Sequence, residues 1–106
     1  MELPRIYGND FDKIVYDDET PCVVIFSRKT CHVCNDIKPI LAELGQEYKS
    51  VSFYYADVEE DANLFKRFSF KGVPQILFFY EGCIQAKLAG EVDEDDIEEC
   101  LELILP

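Results

Sequence analysis

The fold of this chain is decided by the stretch FSRKTCHVCN, residues 26–35. An apolar run, Val23–Phe26, leads into this stretch and predicts a buried strand. A pattern of helical spacing follows it, so the pair Cys31 and Cys34 lies at a strand-to-helix junction. The sequence therefore predicts that Cys31 stands at the start of a helix.

Cys31 lies in surroundings that favour its ionised form. The thiolate is the reactive form of cysteine, and a free thiol has a pKa of about 8.5. A helix amino end offers unpaired N–H groups and the positive end of the helix dipole, which both stabilise an anion. Arg28 and Lys29 add positive charge just before the helix, and a protonated His32 adds more beside it. The sequence therefore predicts a lowered pKa for Cys31, tuned by these three side chains.

The two cysteines are predicted to differ in exposure. Apolar side chains at helical spacing form one stripe on the helix, namely Ile37, Leu41, Leu44 and Tyr48. Cys34 extends this stripe backwards, whereas Cys31 falls to its side and His32 lies nearly opposite. We therefore expect Cys31 to be the accessible, attacking thiol and Cys34 the sheltered, resolving one.

A CxxC pair has three interpretations: a redox-active dithiol, half of a zinc site, or an incidental pair. A zinc site of the common kind needs a second ligand pair at short spacing, but the other cysteines, Cys22, Cys83 and Cys100, are scattered singly. Redox chemistry is therefore favoured and no metal site is predicted. Cys100 is assigned to the core, and Cys22 or Cys83 is a candidate for an exposed regulatory thiol.

Length and composition narrow the class of protein. The 106 residues predict one domain, residues 1–106, and we expect a monomer. The formal net charge of −12 argues against nucleic acid as a partner. We expect a cytoplasmic protein, because no apolar stretch is long enough for a membrane span and no signal-peptide pattern opens the sequence. The uneven charge has two interpretations. One is a solvated acidic face, with much of the acid at 91–102, that aids solubility, and the other is a positive rim around the site formed by Arg28, Lys29, Lys66, Arg67 and Lys71.

The element order predicts an α/β fold with a mixed sheet. Five strands are predicted, at 3–7, 23–26, 51–56, 76–80 and 83–88, with helices between them near 11–15, 31–48 and 64–68, and a last helix after Asp93. The order is β-α-β-α-β-α-β-β-α, in which alternation implies parallel pairing and the closing hairpin adds antiparallel pairs. Sites in such sheets collect beyond the carboxyl ends of central strands, where Cys31 lies.

In this order of motifs the chain resembles the thioredoxin family over nearly its whole length. The redox motif of that family matches Cys31-His32-Val33-Cys34, and its helix proline matches Pro39. Its cis-proline loop matches Gly72-Val73-Pro74, and two further glycines match Gly82 and Gly90. The resemblance implies the thioredoxin fold, with a central mixed sheet flanked by helices.

The resemblance also implies a thiol–disulfide oxidoreductase that serves electron transport and cell redox homeostasis. Cys31 attacks a protein disulfide, and Cys34 resolves the mixed disulfide. Pro74 is expected to be cis, and Val73 is expected to pair with substrate as an added strand. The implied partners are protein disulfide substrates and a thioredoxin-reductase-like electron donor. No cofactor is expected beyond the Cys31–Cys34 disulfide.

The chain departs from the family pattern inside the redox motif, where His32-Val33 replaces Gly-Pro, and at four further positions. Thr30, predicted to contact substrate, replaces the tryptophan before the first cysteine. Ile25 stands where members hold a buried carboxylate, and Tyr55 replaces the lysine paired with that carboxylate. Gln75 replaces the threonine after the cis-proline. The alternative interpretation is therefore a thioredoxin-fold binding or scaffold domain whose CxxC is idle or binds metal.

Overall fold

The computed structural model describes residues 2–106, and its sheet is organised around strand β1, Cys22–Ser27. All six residues of β1 are buried, as expected for an apolar strand that is covered on both faces. The sheet has the order β2-β1-β3-β4, with β2 at Ser52–Asp57, β3 at Gln75–Tyr80 and β4 at Cys83–Ala89. Strand β1 pairs parallel with β2 and antiparallel with β3, so the predicted mixed sheet is confirmed.

Helices cover both faces of this sheet. Helix α1, His32–Glu47, and helix α3, Glu94–Leu101, contribute to one apolar cluster. Helix α2, Ala62–Arg67, and an N-terminal π-helix, Lys13–Asp17, contribute to the other. Within residues 2–106, no helix combines the length and the apolar character needed to cross a membrane.

The first predicted strand, residues 3–7, is shorter than expected. The structure has one isolated parallel bridge there, between Arg5 and Tyr55. Ile6 N–H donates to the Tyr55 carbonyl at 2.8 Å, and Tyr55 N–H donates to the Pro4 carbonyl at 3.0 Å. Pro4 has no N–H to donate, and a turn follows at Gly8. These two features limit the pairing to a single bridge beside β2.

Helix α3 begins with the predicted capping box. Asp96 N–H donates to Asp93 Oδ1 at 2.9 Å, and Asp93 N–H donates to Asp96 Oδ2 at 3.2 Å. Both bonds satisfy backbone donors that a helix amino end otherwise leaves free. The cap fixes the start of the helix that buries Ile97 and Leu101 against the sheet.

Substitution of the cap residue tests this local account. We expect Asp93→Ala to lower the free energy of unfolding by about 1 kcal/mol, because the Asp96 N–H loses its acceptor. Asp93→Ser retains an acceptor oxygen and is expected to stay within a few tenths of a kcal/mol of the parent protein. Urea unfolding of both variants measures the difference. Equal stability of the two variants would contradict the capping role.

Candidate active site

The first turn of α1 directs one backbone donor at the sulfur of Cys31. Cys31 is the N-cap of α1, and its Sγ accepts a hydrogen bond from the Cys34 N–H at 3.1 Å. Cys31 N–H donates to the Arg28 carbonyl at 3.1 Å, and Asn35 Nδ2 donates to the Lys29 carbonyl at 3.1 Å. These bonds hold the turn between β1 and α1 against the first turn of the helix. A negative charge on Cys31 would therefore lie at the positive end of α1.

Cys31 and Cys34 form a disulfide, with their Cα atoms 5.2 Å apart. Cys31 is partly exposed, whereas Cys34 is fully buried in the apolar face of α1. The predicted asymmetry between an accessible and a sheltered sulfur is therefore confirmed. Cys31 is therefore the member of the pair that a partner molecule can approach. Cys34 is shielded from solvent and is placed to react only with Cys31.

The proline loop reaches the same end of the sheet as the cysteine pair. Phe26, near the carboxyl end of β1, pairs with Gln75, the first residue of β3, so the loop before β3 and the turn after β1 are adjacent. The Val73–Pro74 peptide bond is cis, as predicted. Gln75 Nε2 donates to the Gly72 carbonyl at 3.2 Å and fixes the loop. Pro74 is buried and Val73 is half-buried, so substrate contact by Val73 stays a prediction.

The predicted positive rim is partly neutralised. Lys29 Nζ lies 3.9 Å from a carboxylate oxygen of Glu60, and Arg67 lies 2.7 Å from a carboxylate oxygen of Asp12. The Lys29 side chain is 77% exposed, so solvent also screens its charge. Tuning of Cys31 by Arg28 and Lys29 stays a prediction.

His32 points away from the core, as the helical spacing predicts. Its side chain is 91% exposed, and Nε2 lies 3.5 Å from a carboxylate oxygen of Asp36, one helical turn later. A protonated His32 would share its charge between this carboxylate and the solvent. We therefore expect its effect on the Cys31 thiolate to be small in magnitude. Thr30 is exposed beside it, and its contact with substrate stays a prediction.

A polar arrangement that the sequence analysis missed lies on the α1 side of β2. Lys38 Nζ lies 4.4 Å from the centre of the Tyr55 ring, and Tyr55 pairs with Ile25 across the sheet. Burial lowers the pKa of Lys38, and the negative charge of Asp57 works against that shift. Asp57 is itself buried, and its Oδ1 accepts the N–H groups of Glu59 at 2.9 Å and Glu60 at 3.1 Å.

The three remaining cysteines differ from one another. Cys22 is the first residue of β1 and only 1% exposed, so its candidacy as an exposed regulatory thiol was wrong. Burial, with a contribution from Asp18, raises the pKa of Cys22 to about 12. Cys83 is exposed, as that interpretation requires. Cys100 packs against the core while keeping partial exposure, and burial raises the pKa of its thiol.

The comparisons with known proteins match this chain to thioredoxins. The thioredoxin family model matches residues 3–103. A chloroplastic M-type thioredoxin of Pisum sativum is 28% identical over 102 residues, which are 95% of this chain and 59% of that protein. A thioredoxin of Buchnera aphidicola is 26% identical over 102 residues, 95% of this chain and 94% of that protein. The chain thus spans about three fifths of the length of the plant and mammalian relatives it matches.

A solved structure supports the same assignment of the fold. Oxidised thioredoxin O2 from Arabidopsis thaliana superposes with a TM-score of 0.84 at 25% sequence identity. The superposition covers 98% of this chain and 94% of that protein. The predicted fold class is therefore confirmed by architecture as well as by the order of elements.

The geometry around Cys31 predicts an acidic thiol in the reduced protein. We expect its pKa to lie below the roughly 8.5 of a free cysteine, because the Cys34 N–H and the helix dipole stabilise the thiolate. His32→Ala should raise this pKa by about half a unit or less, since an exposed charge beside a carboxylate acts weakly. The pH dependence of iodoacetamide alkylation measures both values.

Asp36→Ala is the matched opposite change, because it removes a negative charge from the same turn. We expect it to lower the pKa of Cys31. A Cys31 pKa at or above that of a free thiol would contradict the account of the helix amino end.

The exposure of the other cysteines predicts their order of alkylation. In the reduced native protein at pH 8, iodoacetamide should label Cys83, whereas Cys22 should remain unlabelled until denaturant is added. Cys22 is buried and stays protonated at this pH, and only the thiolate reacts. Peptide mass spectrometry reads out each site. Labelling of native Cys22 at the rate of Cys83 would refute its burial.

Proposed function

The chain belongs to the thioredoxin family, and we therefore propose that it is a thiol–disulfide oxidoreductase acting on protein disulfides. The observation that supports this most directly is the pair itself. A half-exposed Cys31 at a helix amino end is bonded to a fully buried Cys34 three residues later. This arrangement suits a dithiol that opens and closes while the surrounding fold stays intact.

In the first step of the proposed reaction, the Cys31 thiolate attacks one sulfur of a substrate disulfide. A bond forms between Cys31 and that sulfur, the substrate S–S bond breaks, and the second substrate sulfur leaves as a thiolate. The Cys34 N–H, which bonds to Cys31 Sγ at 3.1 Å, stabilises the attacking charge before the step. Water supplies the proton that the departing thiolate takes up.

In the second step, Cys34 attacks the sulfur of Cys31 in the mixed disulfide. The Cys31–Cys34 bond forms, and the remaining substrate sulfur leaves, so two electrons have passed from the protein to the substrate. Because the Cα atoms lie 5.2 Å apart in the disulfide, the pair closes within the geometry of the first helical turn. Burial of Cys34 keeps external thiols away from this step.

The surface around Cys31 is where a substrate chain would bind. We propose that Thr30 and the backbone of Val73 contact the substrate segment beside its disulfide, and that buried Pro74 shapes this surface. The proposed electron donor is a thioredoxin-reductase-like protein. We further propose a monomer that needs no cofactor beyond its own disulfide. The cytoplasmic location stays a prediction, since relatives carry chloroplastic and mitochondrial names.

A binding or scaffold domain with an idle CxxC is the competing function, and the specific observation behind it is Ile25. This residue is fully buried where the family holds a carboxylate, so it supplies no group that could take the proton of the resolving cysteine. A metal-binding pair is the other alternative. Within residues 2–106, no three metal-ligating side chains converge. Loss of activity in a cysteine variant, from a measurable starting level, separates the oxidoreductase from both alternatives.

Reduction of insulin disulfides by dithiothreitol tests the proposal. The full chain should accelerate the reaction, and Cys31→Ser should return the rate to the uncatalysed level, because the attacking sulfur is gone. In a separate incubation of reduced Cys34→Ser with insulin and without dithiothreitol, a mixed disulfide with substrate should accumulate, visible as a heavier species on a non-reducing gel. Cys83→Ser is the matched control and should retain the parent rate. An unmodified chain that does not accelerate the reaction would refute the oxidoreductase function.

A further inference from the structure

We propose that the ammonium group of Lys38 stabilises the thiolate of Cys34 during the second step of the reaction. The inference rests on the proposed oxidoreductase function and assigns a residue to one of its steps. Lys38 would act in the region where the family holds its buried carboxylate, which is the position of Ile25 in this chain. In this chain a cation on helix α1, rather than an anion on β1, faces that region.

Cys34 needs such a group because its surroundings oppose ionisation. Its side chain is 0% exposed, and it lies on the same helix face as the buried Ile37 and Leu41. Burial in an apolar environment disfavours the charged form of a thiol. Ile25, also fully buried, offers neither a charge nor a hydrogen bond. The thiolate required for attack on Cys31 is therefore rare unless a nearby cation favours it.

Lys38 is placed to act as this cation. It lies four residues after Cys34 in α1, so the two side chains are neighbours on one face of the helix. Helical side chains lean toward the amino end of their helix, which carries the Lys38 chain toward Cys34. Its Nζ lies over the ring of Tyr55, the residue that pairs with Ile25. The ammonium group is thus fixed on the β2 side of α1.

The surroundings of Lys38 retain its positive charge. The face of the Tyr55 ring attracts a cation, and the buried Asp57 adds a negative charge from the end of β2. These groups oppose the burial that lowers the pKa of Lys38. The other charged group that faces it is the exposed Glu2, across a cavity of about 300 Å³. Tyr55 and Asp57 therefore both favour a charged Lys38 beside α1.

The same cavity brings solvent close to Lys38. It is open to solvent, and Asn35, Lys38, Pro39 and Tyr55 lie along its wall. In the proposed step the Cys34 thiol gives up its proton to solvent, and Lys38 stays protonated throughout. The Cys34 thiolate then forms the bond to Cys31, and the substrate thiolate leaves and takes a proton from water. Charge and protons therefore balance without a further reactant.

A small aromatic disulfide, dithiobis(nitrobenzoate), separates the two steps. Attack by Cys31 releases one coloured thiolate, and attack by Cys34 releases the second. We expect Lys38→Met to slow the second release about three- to tenfold at pH 7, because loss of a partly screened cation raises the pKa of Cys34 by up to about one unit. The first release should change less than about twofold, since Cys31 is stabilised by the backbone. All variants carry Cys83→Ser, which removes the exposed competing thiol.

Two further variants distinguish charge from packing. Lys38→Arg keeps the cation and should release the second thiolate at the parent rate. Lys49→Met removes an exposed lysine beyond the end of α1 and should also behave like the parent. The pH midpoint of the second release should rise in Lys38→Met and stay unchanged in Lys38→Arg. If only the packing of the lysine stem mattered, the pH midpoint of the second release would not differ in this way between Lys38→Met and Lys38→Arg.

Different outcomes would contradict the role of Lys38 and the proposed oxidoreductase function. An unchanged second release in Lys38→Met, or equal slowing in Lys38→Met and Lys38→Arg, would overturn the role of Lys38 while the oxidoreductase function stands. Equal slowing of both releases would also overturn it, because the effect would not belong to Cys34. A parent chain that never releases the second thiolate would instead refute the proposed function.

Discussion

Burial of the strand β1 is the constraint on which the site depends. Its six residues are covered on both faces, so the point at which the chain leaves the sheet is fixed. Helix α1 starts five residues after the end of β1 and is held by buried side chains, including Ile37, Leu41 and Leu44. Each of these contributes about 1.5–3 kcal/mol by burial. The rotation of α1 about its axis is therefore set by the core, and this rotation buries Cys34 while it leaves Cys31 accessible.

Short-range backbone donors, rather than the charge of the protein, dominate the environment of Cys31. The chain carries a formal net charge of −12, which by itself would disfavour a thiolate. Lys29 is exposed and lies beside Glu60, and the exposed His32 lies beside Asp36; exposed ion pairs of this kind contribute about 0–1 kcal/mol. The hydrogen bond from the Cys34 N–H to the Cys31 sulfur is 3.1 Å long, and salt screens it less than it screens these exposed ion pairs. A local geometric feature thus outweighs the overall electrostatics.

The features that follow from local rules were predictable from the sequence. The apolar run at 23–26, the periodic stripe of α1 and the spacing of Asp93 and Asp96 each act within one element, and the structure contains all three. Features that depend on where two elements meet were not predictable from the sequence. The contact of Lys38 with Tyr55 requires the registry of α1 on β2, which no pattern within either segment specifies. The burial of Cys22 did not follow from the pattern either, because the strand begins one residue earlier than its apolar run indicates.

The reduction potential of the Cys31–Cys34 pair tests the central claim, that the fold holds these two thiols as a reversible redox couple. The full chain is equilibrated in glutathione buffers of graded poise, and the fraction of oxidised pair is determined after acid quenching and alkylation. The account predicts a single two-electron transition between roughly −270 and −180 mV, the range from thioredoxin to protein disulfide isomerase. A pair that stays reduced at every poise would contradict the account.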